Sequence, residues 1–313
     1  MAPVAQLTVK CPVCGEVGAL AYRDGGFAVE HGCDVHAVAD DVALEVVGGL
    51  GRFCFVPYAG GDFYLLPILR RMIPPHLVYV EVFAGSAKLL LSKPPSRIEV
   101  YNDLDRGIYT LFKVVKTRYE DFMRALDLLP YSRLLHYEFL EKLERGVEDE
   151  VELAVAVYYT LHSSAFGTCG GFAASPTRNK ARRFYRAMEN IRLVHERLKN
   201  VVVECLDFRE CIRKYDTPHT FFYLDPPHIP SSLNGYYRVR FTERDLDDLL
   251  RILEGVKGKF LLKQSGAVDR VAEWAREHGY RTRTLTLKRS MEGVERGEGK
   301  GYWTILFAAN YRI

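Results

Sequence analysis

Seven short runs rich in Val, Ile, Leu, Phe and Tyr follow residue 77, at 78–83, 98–103, 201–206, 221–226, 258–264, 282–288 and 303–310. Each reads as a β-strand bounded by turn-forming residues. Helical patterns separate most of them, while the last two are joined without an obvious helix. Seven strands, interleaved with helices and closed by an antiparallel hairpin, predict an α/β sheet. The helix after the fourth run is the best signalled. Thr242 stands as its N-cap with Asp245 three residues on, and Leu246, Leu249, Leu250 and Leu253 recur at helical spacing.

Nearly a hundred residues of mostly helical pattern lie between the second and third runs. That is far beyond an ordinary connection, so residues 117–199 are expected to form an inserted subdomain. Charge is segregated within it. Residues 117–152 hold five Lys/Arg against ten Asp/Glu, a net of −5; residues 178–199 hold eight against two, a net of +6. The cluster Arg178, Lys180, Arg182, Arg183 and Arg186 follows the loop Gly167-Thr168-Cys169-Gly170-Gly171-Phe172. A loop leading into a basic helix start is a phosphate-tracking surface or, equally on charge alone, a solvated helix face.

Residues 1–50 precede the link Gly48-Gly49-Leu50-Gly51 and hold too few large apolar residues for a core of their own. Cys11, Cys14, Cys33 and His36 have C-x2-C…C-x2-H spacing, by which two turns offer four ligands to one tetrahedral zinc. His31 is the rival to His36. Four protein ligands leave no open position, so the zinc is expected to be structural, and metal would account for the folding of this module. The expected domains are a zinc-ribbon-like module at 1–50, a sheet domain at 51–116 and 200–313, and the insert at 117–199.

At 313 residues, 48% hydrophobic and 27% charged, the chain has the composition of a soluble protein with one large core and a small accessory module. No apolar stretch approaches the length that crosses a bilayer, and no signal peptide opens the chain, so the expectation is cytoplasmic with no membrane partner. The seven cysteines are odd in number and argue against a disulfide framework. Net charge is only +3, so a nucleic-acid partner has to be sought in local patches.

Two segments carry chemistry. Phe221-Phe222-Tyr223-Leu224 ends at Asp225-Pro226-Pro227-His228. The prolines fix φ and donate no hydrogen bond, holding the neighbouring carbonyls away from sheet pairing. The Asp225 carboxylate and the Pro226 carbonyl are then two acceptors for a planar amine, with the His228 ring beside them to stack. Earlier, Val78–Val82 leads through Phe83-Ala84-Gly85-Ser86 into a helix, and Ile98–Tyr101 ends at Asn102-Asp103. Strand, glycine turn, helix, strand and acid form the approach to an adenosyl cofactor, the acid accepting ribose hydroxyls. A single glycine in the turn does not make a phosphate cradle, which favours a cofactor without pyrophosphate.

From about Phe55 onward the chain resembles the Dam-like family of DNA adenine-N6 methyltransferases. The resemblance rests on Pro57-Tyr58-Ala59-Gly60-Gly61, Glu81-Val82-Phe83-Ala84-Gly85-Ser86, Asn102-Asp103-Leu104-Asp105 and Asp225-Pro226-Pro227-His228, in the order of the family's alpha arrangement. It implies a Rossmann-like seven-stranded methyltransferase sheet, S-adenosylmethionine as cofactor, and the insert as target-recognition region for DNA. It also implies a catalytic Asp225, Pro226, Pro227 and His228, and cofactor contacts from Tyr58, Ala59, Gly60, Gly61, Glu81, Phe83, Gly85, Asp103, Asp207 and Phe208. Three positions depart from the family pattern: Asp62 where Lys is usual, Val82 for Pro, and His228 for Tyr.

The reaction so implied is methyl transfer to N6 of an adenine flipped out of the duplex, by a monomer or weak dimer. An RNA adenine methyltransferase and a catalytically impaired nucleic-acid-binding homologue are the alternatives. A small-molecule or protein methyltransferase would leave the basic insert without a purpose.

Overall fold

The computed structural model describes residues 8–10, 17–23, 26–31 and 34–38 by their backbone, and residues 55–57, 65–164, 167, 170–227, 241–288 and 302–313. Strands β1 (Thr8–Lys10), β2 (Val17–Arg23), β3 (Gly26–His31) and β4 (Asp34–Val38) form an antiparallel meander. Its register pairs Lys10 with Val17 and His31 with Asp34, which sets the β1–β2 and β3–β4 connections at the same end of the sheet.

After α1 (Leu66–Met72) the chain alternates: β5 (Val78–Glu81), α2 (Lys88–Ser92), β6 (Ile98–Asn102) and α3 (Arg106–Thr117). The insert follows as α4 (Tyr119–Asp127), α5 (Arg133–Arg145), α6 (Glu150–Ser163), α7 (Lys180–Met188) and α8 (Ile191–Leu198). The sheet resumes with β7 (Val201–Glu204), α9 (Phe208–Tyr215), β8 (Thr220–Leu224), α10 (Glu243–Glu254), β9 (Lys259–Gln264), α11 (Val268–Glu277), β10 (Arg281–Lys288) and β11 (Tyr302–Ala309). All seven strands expected after residue 77 are present. Three of them stop two residues early, at Glu81, Glu204 and Leu224, where the chain leaves the sheet to form the loops that carry the candidate chemistry.

The second sheet runs β10-β11-β9-β8-β5-β6-β7. Its strands are parallel from β9 to β7, and β11 lies antiparallel between β9 and β10, the expected closing hairpin. Strand order reverses between β5 and β8, so a crevice opens above their C-terminal ends. Each face of the sheet buries its own core. On one, Tyr79, Tyr101, Phe221, Tyr223, Leu261 and Phe307 pack with residues of α3 and α6. On the other, Val80, Phe222, Leu224, Phe260 and Leu262 pack with α9, α10 and α11.

The helices follow local rules. In α10 the Thr242 hydroxyl accepts from the Asp245 N–H and the Asp245 carboxylate accepts from the Thr242 N–H at 2.9 Å, the expected capping box, and the four expected leucines are buried. Helix α6 is apolar on nearly every side and lies buried among α3, α4 and α5. Its apolar residues belong to the same cluster as the sheet face, so among the described residues the insert has no core apart from that of the sheet. Arg197 at the end of α8 fastens it further. Its guanidinium donates to both carboxylate oxygens of the buried Glu99 on β6 and to the Leu90 carbonyl of α2.

Candidate active site

The loops above β5, β6 and β7 are tied together by one side chain. Buried Asn102 donates to the Val82 carbonyl (2.9 Å) and the Leu206 carbonyl (3.0 Å), and accepts from the Leu206 N–H (2.9 Å). Within the turn that follows β5, Gly85 has φ +49°, a left-handed conformation natural to glycine. The Tyr101 hydroxyl donates to the Gly85 carbonyl, and the Gly85 N–H donates to Asp103 Oδ2 at 2.7 Å. Asp103 Oδ1 accepts from the Asp105 N–H at 2.8 Å. Burial raises the Asp103 carboxyl to about 6, against the pull of those two N–H groups. Asp105 turns the other way and caps α3 through the Gly107 and Ile108 N–H groups.

Glu81 faces inward. Its carboxyl accepts from the Tyr79 hydroxyl (2.7 Å) and from the Leu90 N–H (2.9 Å), and burial raises it to about 8. Ala87, at the N-cap of α2, has no side chain with which to cap it, so Glu81 satisfies a free N–H of the first turn instead. The turn is thereby held from beneath.

Phe83 and Phe208 meet above β5 and β7, with ring centroids 5.6 Å apart. Phe241, which the sequence reading passed over, packs against both at 5.7 and 5.9 Å. Asp207 caps α9 and pairs with Arg209 at 3.0 Å. The Arg209 guanidinium also reaches Asp245 and Asp248 of α10 and lies 4.3 Å from the Phe208 ring centroid.

Beside the switch point, β8 is buried along its whole length and delivers Asp225 at its end; Asp225 is partly exposed and Pro226 is buried. Leu224 pairs with Leu262, which sets Asp225 opposite Lys263 on β9. The Lys263 ammonium lies 2.9 Å from Asp225 Oδ2, and the lysine side chain is 0% exposed. The next residue, Gln264, is also fully buried, and its Nε2 has no hydrogen-bond partner among the described residues. The run Phe260-Leu261-Leu262-Lys263-Gln264 held the missed signal, two polar residues ending an apolar strand.

His228, Tyr58, Ala59, Gly60, Gly61 and Asp62 lie outside the described residues, as do Cys11, Cys14 and Cys33. For His36 only its place on β4, paired with Val29, is described. Just before the Gly-Gly motif, the Phe55 carbonyl accepts from His162 Nε2 of α6 at 2.8 Å. Burial lowers the His162 imidazole to about 4. Gly167, at φ +67°, lies so close to Pro57 that an added Cβ would stand 2.1 Å from the proline carbonyl oxygen. The insert therefore grips the segment that enters the motif.

Arg178, Arg182, Arg183 and Arg186 are exposed, and Asn179 caps α7 through the Arg182 N–H. Arg178 and Lys180 line a cleft of about 560 Å³ together with Arg133, Tyr131 and Phe172. The Arg133 guanidinium stands 5.0 Å from the Phe172 ring centroid, and Tyr131 packs on the same ring at 4.9 Å. Arg182, Arg183 and Arg186 are not part of that lining. Among the described residues no group of three His, Cys, Asp or Glu is placed to hold a metal, and no helix is long and apolar enough to cross a membrane.

A mainly parallel sheet of this order, with its acceptors gathered where the order reverses, is that of a Rossmann-like methyltransferase. More narrowly, the chain belongs to the D12 class of N6 adenine-specific DNA methyltransferases, whose family model matches residues 58–290. It is similar to the DNA adenine methylase of Escherichia coli (strain K12), 26% identical over 217 residues that make up 64% of this chain and 76% of the relative. The DNA adenine methylase of Salmonella typhi is 25% identical over 199 residues, 60% of this chain and 69% of the relative. That of Serratia marcescens is 23% identical over 197 residues, 60% and 71% of the two chains.

The protein is accordingly a DNA adenine-N6 methyltransferase, and its family implies S-adenosylmethionine as methyl donor. The residues at the switch point fit that donor. A left-handed glycine brings backbone close, Asp103 has lone pairs beyond the two N–H groups it accepts, and the turn makes no pyrophosphate cradle.

Proposed function

We propose that Asp225 and the Pro226 carbonyl accept the two N–H groups of the target adenine, and that the turn at Phe83–Gly85 with Asp103 holds the methyl donor beside it. The position of Asp225 carries this reading: it ends β8, the strand next to β5 at the point where the order reverses. Both hydrogen bonds draw lone-pair density onto an amine that otherwise shares it with the ring, and they stabilise the positive charge that develops there. Bound S-adenosylmethionine supplies a methyl group on a positively charged sulfur. Asp225 need not be a strong base, because the amine proton becomes acidic as the nitrogen gains charge.

An adenine inside a duplex cannot reach a strand-end crevice, so the base is flipped, with His228 as its stacking face. Tyr58, Ala59, Gly60 and Gly61 complete the donor site, with Phe83, Asp207 and Phe208 near its adenine. Glu81 serves by holding the turn. The cleft of Arg133, Arg178 and Lys180, flanked by Arg182, Arg183 and Arg186, tracks DNA phosphates. DNA as substrate supports a cytoplasmic place. In the N-terminal module, zinc is held by Cys11, Cys14, Cys33 and His36, supported by the two connections that leave one end of the meander.

The test is Asp225→Ala. Methyl transfer to DNA should disappear while S-adenosylmethionine affinity, measured by calorimetry, stays within about 3-fold. Retained transfer would remove Asp225 from the site.

A further inference from the structure

Among the described residues, Lys263 is the most deeply buried cation near the crevice, and the family reading gives it no role. Its side chain is wholly enclosed, yet it ends on a carboxylate that is partly exposed at the strand end. An ammonium taken out of water is tolerated only when paired, and here the pairing oxygen is Asp225 Oδ2, 2.9 Å away. We infer that Lys263 is a positioning residue for methyl transfer, setting the Asp225 carboxylate so that its remaining lone pairs face the target amine. This rests on the role proposed for Asp225.

The register makes the arrangement rigid. Leu224 pairs with Leu262, so Asp225 and Lys263 follow at the same level on adjacent parallel strands and point to the same face. On that face Tyr223 and Leu261 pack immediately before them, both buried. The lysine stem is therefore enclosed by the core while its head reaches the carboxylate. A carboxylate offers about four lone-pair sites, and Lys263 occupies one of them on Oδ2.

The pair is also an oriented dipole. Its positive end lies inside the sheet and its negative end at the crevice, where an amine donates and charge then develops. Glu81, on the neighbouring strand β5, is a second buried carboxyl close enough to feel Asp225. An Asp225 without its cation would be freer to turn and worse placed at the moment of transfer.

Lys263→Met keeps the length of the stem and removes the charge. Its kcat should fall by about 10- to 100-fold, the usual effect of removing a group that orients a reacting one, while affinity for S-adenosylmethionine and KM for DNA each change less than about 3-fold. Lys263→Arg, which restores a cation, should recover part of the loss. In a double-mutant cycle, Asp225→Asn with Lys263→Met should be no slower than Asp225→Asn alone, because the lysine acts only through the aspartate. Where Lys263→Met fails to fold, the double variant, which removes both charges of the pair, is compared with Asp225→Asn alone, and equal rates support the inference.

Wild-type kcat in Lys263→Met, or multiplicative losses in the double variant, overturns the inference while leaving Asp225 in place. Loss of donor affinity in step with kcat assigns Lys263 to structure and also overturns it. Full activity in Asp225→Ala would instead defeat the reading of the site itself.

Discussion

At the scale of single residues, the donor-binding role proposed for Asp103 predicts that cofactor binding depends on pH. Burial raises its carboxyl to about 6, and only the ionised form accepts hydrogen bonds from two hydroxyls while keeping those from Gly85 and Asp105. As pH falls through about 6 the group gains a proton and loses acceptor capacity, so affinity for S-adenosylmethionine should drop between pH 7.5 and 5.5. Calorimetric titration across that range measures it. Asp103→Asn should bind more weakly at pH 7.5, by about 1–3 kcal/mol, and show no such slope. Asp103, Gly85 and Asp225 were legible in the sequence because each sits in a short local motif. Lys263, Phe241 and Arg133 were not, since their partners are set by contacts between elements far apart in the chain. Lys263 and Asp225 are 38 residues apart and meet only through the register of β8 on β9.

At the scale of elements, the seven strands could be read because a strand enclosed by two helical layers must be apolar nearly throughout, leaving a continuous run in the sequence. The capping box of α10 was equally local. What could not be read was the placement of α6, whose all-round apolarity says that it is buried but not against what. Its His162 gives a test. The folded imidazole sits near 4, against about 6.5 when unfolded. Between those values the unfolded chain binds a proton that the folded one refuses, so stability falls as pH drops from about 6.5 toward 4. The loss should total about 3 kcal/mol. Denaturant melts of wild type and His162→Gln at pH 7, 5.5 and 4 should show the difference, with the variant lacking this slope. Glu81 and Asp103, raised rather than lowered, contribute slopes of opposite sign and are common to both proteins.

At the scale of the whole molecule, a net charge of +3 hides a chain divided into acidic and basic segments. Replacing Arg133 and Lys180 together by Ala should raise KM for DNA and reduce the salt slope of binding by about 2, roughly one per phosphate contact, with kcat at saturating DNA little changed. Fluorescence titration of a labelled duplex at several salt concentrations checks it. The N-terminal module should carry about one equivalent of zinc by elemental analysis of protein purified without chelator, in keeping with one four-ligand site.

The buried seat of α6 sets a limit on how this enzyme's target preference can change. Because Ala154, Tyr158 and Tyr159 pack in the same cluster as Tyr101 and Phe221, residues 117–199 are not a cassette. Exchanging them whole for the corresponding stretch of a relative would strip one face of the sheet of its cover. On the DNA-contacting role proposed for the insert, new sequence preferences are therefore open chiefly to the exposed side chains between Gly170 and Arg186, with Phe184 kept for the core. On the buried helix faces of the rest of the insert, a substitution also bears on whether the catalytic sheet holds together.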